Sequence, residues 1–350
     1  DRTFHCDSQQ RAETEQQKQS KANPKINSPS PGLVVQTTRS SGLLINNTYD
    51  KEQIIMEKGT LLVGEPMGLF IAEETGALED INHFTMALAG AEFNVAVGLS
   101  RLGHPVGYYT KLGDDPFGKR IVKMMQAEGI STDLIEYSSQ RPTGFMMKSK
   151  TFEGDPRIFY FRKNSAASTL SGADMARLDF SRYDAIHMTG ITPALSDSTR
   201  EATALLADRA RERGMLFSFD PNLRPQLWPD QKTMADYMNY MAGKCDIYFP
   251  GINEAKIILG LEDPEAIARA CLDLGSKTVI VKLGSRGAYY ATAAGEAAYV
   301  PGFRVEKVVD TVGAGDGFAV GVLSALGEGL SLGDAVLRGN AVGAIQVTCV

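Results

Sequence analysis

Apolar and polar positions divide the chain into two regimes. From Asp1 to Pro31 the only Val, Ile, Leu or Met is Ile26, and Gln, Ser, Lys, Asn and Pro dominate. Such a segment buries too little apolar area to offset its ordering entropy. Residues 1–55 are therefore expected to be a disordered tail, with the folded domain over 56–350. The body opens on "TLLVGEP" (Thr60–Pro66), a strand meeting a turn. "HFTMALA" (His83–Ala89), "TGFMMKS" (Thr143–Ser149) and "RIFYFRK" (Arg157–Lys163) read as further strands, the last with aromatic alternation. "AEFNVAVGLSRLG" (Ala91–Gly103) has helical spacing and a glycine stop, and "PVGYYTKLG" returns to strand.

From Tyr183 the rhythm is regular. "DAIHMTG" precedes a helix over Ser196–Arg213, "MLFSFD" one over Gln231–Met241, and "DIYFP" one over Asn253–Leu259. A helix over Pro264–Leu274 leads to "TVIVKLG". This alternation predicts an α/β fold with a mostly parallel central sheet covered on both faces. Ligands in such sheets bind beyond the carboxyl ends of the strands. Asp220, Glu254, Lys282 and Gly284 cluster there. The short early strands, near 66–89 and 143–163, break the rhythm and predict a small accessory sheet, a lid.

Composition narrows the function classes. A net charge of −6 and a pI near 5.4 disfavour a nucleic-acid partner. No apolar run reaches the length of a membrane span. Cys6, Cys245, Cys271 and Cys349 form no CxxC pair or zinc spacing, and read as buried or incidental thiols in a reducing cytosol. The four scattered histidines form no HExxH, which disfavours a histidine metal site or a Ser-His-Asp triad.

Three glycine-rich turns compete as phosphate sites. "GDDPFGKR" (Gly113–Arg120) has GxxxxGK spacing, but Arg120 stands where a P-loop needs Ser or Thr, so it reads as a polar turn capping a helix near Pro116. "GAGDGF" (Gly313–Phe318) resembles a dinucleotide fingerprint, yet it ends in Phe318 and lacks a following strand–helix–strand unit. "LGSRG" (Leu283–Gly287) is by default a structural turn.

"VVDTVGAGDGFAVG" (Val308–Gly321) carries more. A strand, "EKVVD", is expected to run into Thr311–Gly315, with a helix starting at Asp316. The amides of Ala314, Gly315 and Asp316 would be orphan donors of that helix start, in a dipole that favours negative charge. Gly313 and Gly315 permit close approach and positive φ. Asp310 and Thr311 can bond the loop's own backbone. Asp316 reads either as a helix N-cap or as a general base beside an anion hole, the pairing that phosphoryl transfer needs.

"DTVGAGDGF" (Asp310–Phe318) resembles the C-terminal signature of the ribokinase-like (PfkB) carbohydrate kinases, and "AGAEFNVAVGLSRLGHPVGYYTKLGDDPFG" (Ala89–Gly118) is similar to their N-terminal signature. The resemblance covers about Thr60 to Val350. It implies a ribokinase-like αβα sandwich with a β lid, ATP as donor, Mg2+, and a sugar hydroxyl as acceptor. By the same resemblance Asp316 matches the catalytic base, and Gly313, Ala314 and Gly315 the anion hole. Gly90 and Asn94 match sugar-contacting positions. Glu254 matches the acid that organises magnesium through water. Lys282, Gly284 and Gly287 match the nucleotide-side turn, and Asn340 a position near the adenine. Ala89 replaces one glycine of the first signature and Gly251 the asparagine of the NxxE element. Lid strands in this family commonly pair between subunits, so a homodimer through the lid is expected.

The acceptor is expected to be a sugar acid. Leu69 stands where ribokinase-type members tend to carry an acid for vicinal hydroxyls. "FYFRKNSAAS", "TGITPALS" and "DPNLRPQLW" look like 2-keto-3-deoxygluconate kinases. Arg162 and Arg224 would suit the carboxylate end of such a substrate, with Tyr160 adding a phenolic contact. A fructokinase or other hexose or keto-sugar kinase is the alternative, and a non-catalytic sugar sensor on the same fold the alternative of another class.

Overall fold

The computed structural model describes residues 58–151 and 156–348; the expected tail, Cys6 and Cys349 lie outside the described residues. In chain order the elements are β1 (Gly59–Val63), β2 (Met67–Thr75), β3 (Phe84–Ala89), α1 (Ala91–Arg101), β4 (Val106–Gly113), α2 (Pro116–Ala127), β5 (Ile135–Ser138), β6 (Phe145–Lys150) and β7 (Ile158–Phe161). They continue with α3 (Gly172–Arg177), β8 (Tyr183–Thr189), α4 (Asp197–Glu212), β9 (Leu216–Asp220), α5 (Gln231–Ala242), β10 (Ile247–Tyr248), α6 (Ile252–Leu259), α7 (Pro264–Leu274) and β11 (Thr278–Lys282). The last are β12 (Gly287–Thr292), β13 (Ala297–Pro301), α8 (Ala314–Gly327) and α9 (Leu332–Gln346).

Among the described residues nine strands form the large sheet in the order β13-β12-β11-β10-β9-β8-β1-β4-β5. From β11 to β5 every pairing is parallel; β12 and β13 add an antiparallel edge. The central strands are buried on both faces, as continuous apolar runs such as "TLLV" and "TVIV" require. One face packs Leu206, Met238 and Ile267, from α4, α5 and α7, on Phe217 and Val281. The other packs Phe93, Ile121, Phe318 and Val336, from α1, α2, α8 and α9, on Leu62 and Ile280. This αβα sandwich matches the expected fold. Helices α8 and α9 cross closely: a Cβ on Gly321 would stand 2.5 Å from the Arg338 carbonyl oxygen.

A second sheet runs β3-β2-β6-β7. Two antiparallel pairs, β2–β3 and β6–β7, are joined by a parallel β2–β6 pairing. Three of its strands, β3, β6 and β7, are the short early ones that broke the sequence rhythm; β2, nine residues long, falls within the 66–89 region but is not among the expected strands. Side chains alternate across it. Met67, Leu69, Ala89 and Met146 pack together on one face, while on the other Phe70 and Phe145 meet Phe117 of α2, with Phe84 against Phe70 and Phe161 stacked on Phe145.

Two expectations change. "EKVVD" forms no strand: the amides of Val309 and Asp310 donate to the Val347 carbonyl instead, at 2.8 and 3.3 Å, and Val308 and Val309 are exposed. The helix after it starts at Ala314, not Asp316. "GDDPFGKR" is the capping turn it was expected to be. Asp115 caps α2 through the Gly118 amide at 2.8 Å, and its other oxygen accepts the Thr143 amide at 2.7 Å.

Candidate active site

A cavity of about 470 Å³ opens at the carboxyl ends of the central strands, under the inner face of the small sheet. Met67, Ala89, Met146 and Tyr160 line one side; Asp220, Glu254, Lys282, Gly313 and Asp316 line the other.

Asp316 sits at its floor. Gly313 enters α8 with φ +82, a left-handed conformation that favours glycine, and no side chain caps the helix. Asp316 is the third residue of α8, so the N-cap alternative falls away. Its carboxylate points elsewhere: Oδ2 accepts from Asn94 Nδ2 at 2.7 Å and Oδ1 from Asn222 Nδ2 at 3.3 Å. The Ala314 amide donates to the Thr311 carbonyl at 3.3 Å, which removes one of the three expected free donors. Among the described residues the Gly315 and Asp316 amides find no protein acceptor. Burial raises the Asp316 pKa to about 7; the Asn94 hydrogen bond opposes that shift and nearby Asp220 adds to it. A carboxyl so poised changes protonation near neutrality.

Lys282 leaves the end of β11 and donates to Asp220 Oδ2 at 2.5 Å, with Glu254 Oε2 4.0 Å away. Burial works against its ammonium, but Asp220 and Glu254 outweigh it and hold the pKa above the ordinary lysine value. A Cβ on Gly315 would lie 3.5 Å from Lys282 Nζ, so a cation faces the bare turn. Glu254 is fixed by two amides, Leu223 N on Oε1 at 2.8 Å and Gly251 N on Oε2 at 2.7 Å. Gly251 caps α6 through its backbone alone, where the family motif has an asparagine.

The sugar-side expectations divide. Gly90, Asn94, Tyr160, Arg162 and Arg224 all line the cavity. At Gly90 (φ +138) a Cβ would stand 2.8 Å from the Glu65 carbonyl oxygen. Arg224 Nη1 donates to the Leu223 and Asn222 carbonyls at 2.8 and 3.2 Å, which anchors the guanidinium at the cavity edge. Arg162 is buried, and its Nε and Nη2 lie 2.7 and 2.5 Å from Glu65 Oε2. Much of its charge is thus spent inside the protein. Asn340, Gly284 and Gly287 lie outside this cavity. Asn340 donates to the Val300 and Pro301 carbonyls at 3.0 and 3.1 Å. A Cβ on Gly287 would meet the Val300 carbonyl oxygen at 2.1 Å, so backbone packing alone demands that glycine.

Sequence reasoning assigned no role to three residues around the base. Asn222 holds Asp316 from a left-handed backbone position, φ +38, and donates its own amide to Asp220 Oδ1 at 3.0 Å. The "DPN" after β9 is the available signal, since Asn tolerates that conformation. Glu92, buried and with a raised pKa caused mainly by burial, accepts from Thr189 and Thr192 hydroxyls at 2.7 and 3.0 Å. Glu65 holds Arg162 and Ser165.

The pfkB family carbohydrate kinase pattern matches residues 60–350. The chain belongs to this family. It is a carbohydrate kinase, a phosphotransferase with an alcohol acceptor, on a ribokinase-like fold. It is 47% identical over 293 residues to the 2-dehydro-3-deoxygluconokinase of Bacillus subtilis (strain 168), covering 83% of this chain and 90% of that one. The PfkB protein from Polaromonas sp. JS666 superposes with a TM-score of 0.78 at 42% identity, over 83% of this chain and 96% of that one. A putative ribokinase II from E. coli in complex with ATP and Mg2+ superposes at 0.74 with 26% identity, over 84% and 94%. No helix among the described residues is long and apolar enough to cross a membrane.

Proposed function

We propose that this carbohydrate kinase transfers the γ-phosphoryl group of ATP to the terminal hydroxyl of 2-keto-3-deoxygluconate (2-dehydro-3-deoxygluconate). One observation carries the reading: Asp316 and Arg224 face the same cavity, a base at its floor and a guanidinium at its edge. The name of the Bacillus subtilis relative supports the same substrate. Arg224 receives the carboxylate. Arg162, held by Glu65, adds what remains of its guanidinium edge, and Tyr160, Gly90 and Asn94 complete the sugar wall.

Asp316 takes the proton of the acceptor hydroxyl as that oxygen bonds to the γ-phosphorus. The bridging bond to ADP breaks in line, and ADP leaves with its electron pair. The free amides of Gly315 and Asp316, in the turn from Gly313 through Ala314, and the Lys282 ammonium hold the charge of the transferring group. The adenine rests in a second groove lined by Phe303, Val305, Val309, Ala341 and Ala344, with Asn340 bracing the end of β13 behind it and the Gly284–Gly287 turn shaping the nucleotide side.

The residues fit a water-mediated magnesium ion. Among the described residues no group of three or more His, Cys, Asp or Glu side chains could hold a metal directly. Glu254, with its carboxylate fixed by two amides, is the residue that would hold it through water, as hard, strongly hydrated Mg2+ prefers. When bound it neutralises phosphate charge. The small sheet acts as a lid, and exposed Phe159 and Phe161 on its edge strand β7 support a homodimer through it. We place the enzyme in the cytoplasm; the buried free thiols of Cys245 and Cys271 accord with a reducing compartment.

The test is a rate panel with ATP and Mg2+ against 2-keto-3-deoxygluconate, fructose, ribose and adenosine. The keto acid should have the highest kcat/KM. A higher value for fructose would replace the assignment with a fructokinase, and no turnover with any sugar would favour a sensor.

A further inference from the structure

Where it covers the cavity, the inner face of the small sheet is built of apolar side chains, Met67, Leu69, Ile71, Ala89, Met146 and Ile158, and Lys148 stands beside them. Alternation along β6 puts Met146 and Lys148 on the face that covers the cavity and Phe145 and Met147 on the other. In the strand register Lys148 stands between Ile71 of β2 and Ile158 of β7. Its side chain is only 14% exposed, and its ammonium pairs with Asp310 Oδ2, a side chain 17% exposed. A cation so withdrawn from water needs a partner. The partner comes from outside the small sheet, 162 residues along the chain.

Asp310 belongs to the segment that carries the bare turn. Its second oxygen, Oδ1, accepts the Val312 amide at 3.0 Å and so shapes the entry to Gly313. Between β13 and α8 the chain forms no strand or helix, and Val308, Val309 and Val312 are exposed. Apolar burial does little to fix this segment. Polar ties do: two amides on the Val347 carbonyl, and the carboxylate of Asp310 on Lys148.

We propose that Lys148 is a positioning residue which, through Asp310, couples the seating of the small sheet on the sugar to the shape of the phosphate-binding turn. This rests on reading Gly313–Asp316 as that turn. A sugar pressed against Met67, Met146 and Tyr160 favours the arrangement in which Lys148 reaches Asp310. The turn is then set for the phosphate of ATP. Linkage requires the effect to be reciprocal: each substrate raises the affinity for the other by the same factor.

The experiment measures the Kd of 2-keto-3-deoxygluconate by calorimetry, with and without a saturating non-hydrolysable ATP analogue and Mg2+. In the wild type the analogue should tighten the sugar acid by about five- to tenfold, the lower range of ordinary couplings. In Lys148→Met the ratio should fall to about one while the Kd for the sugar acid alone stays within about threefold, and kcat should drop about tenfold or more. Asp310→Asn, nearly isosteric, should reproduce this. The double variant should be no worse than either single one, because one interaction is lost in all three. Lys148→Arg should restore most of the ratio. An equal ratio in the wild type and Lys148→Met, multiplying effects of the two single variants, or no synergy in the wild type would each overturn the coupling. If the wild type phosphorylates fructose but binds no keto acid, the substrate reading has failed, and the same ratio measured with fructose decides the coupling.

Discussion

Two helix starts in this molecule look alike in sequence and do opposite things. Gly113–Pro116 and Gly313–Asp316 both bring glycine and aspartate to the amino end of a helix against the large sheet. At the first, Asp115 turns back on its own helix and takes the Gly118 amide, with the Thr143 amide on its other oxygen. The Gly118 amide is consumed, Pro116 has no amide hydrogen to offer, and the carboxylate is turned back on its own helix. At the second, the aspartate lies inside the first helical turn and faces away, toward Asn94 and Asn222. The Gly315 and Asp316 amides stay open beside Lys282. An aspartate at a helix start is a cap when it serves its own amides. It becomes available for chemistry when other side chains hold it elsewhere.

Substitutions at the two aspartates should have opposite consequences. Asp316→Asn should lower kcat by about 10²–10⁴-fold, the usual worth of a general base, with ATP affinity nearly unchanged. ADP release in a coupled assay measures it, and near-normal turnover would remove Asp316 from the base role. Arg224→Ala should raise KM for the keto acid at least about tenfold, as loss of a guanidinium–carboxylate pair does, and that for ATP by much less. Equal effects on the two substrates would remove Arg224 from the acid site.

The same carboxyl makes stability and activity oppose each other. The folded Asp316 pKa, about 7, lies above the unfolded value near 3.8. Its contribution to stability is full below the unfolded value and is lost as pH rises through the folded one. Above pH 7, therefore, Asp316→Asn should be more stable than the wild type, by on the order of 1–3 kcal/mol, and the gain should vanish near pH 4. Denaturant melts at both pH values check this. At the closed turn the signs reverse: Asp115→Ala should cost about 1 kcal/mol through its lost cap. Turnover per folded molecule should change little there. A large loss of kcat in Asp115→Ala would show that the first turn is functional after all.

Much of this was legible in the chain because periodicity reports burial. The parallel strands from β8 to β11 are apolar runs flanked by helices, and "PEAIARACLDL" forms α7 over the expected bounds, capped by the preceding Asp263. "EKVVD" misled because an apolar pair in an extended stretch signals a strand only where a neighbouring strand takes its amides; here Val347 does. The antiparallel edge, β12 and β13, went unread because small residues such as "ATAAGEAA" blur alternation. The site was legible where one segment holds several parts, as in Gly313–Asp316. It was illegible where pairing joins distant segments. Nothing near Arg162 announces that Glu65 will spend its charge, and nothing near Lys148 points to Asp310.

The most direct test of an uncapped, protonatable base at this helix start is the pH profile of kcat/KM for the sugar acid, from about pH 5.5 to 9. The acidic limb should fall tenfold per pH unit below a pKa near 7, because only ionised Asp316 accepts the proton. A profile flat down to pH 5.5 would contradict the account.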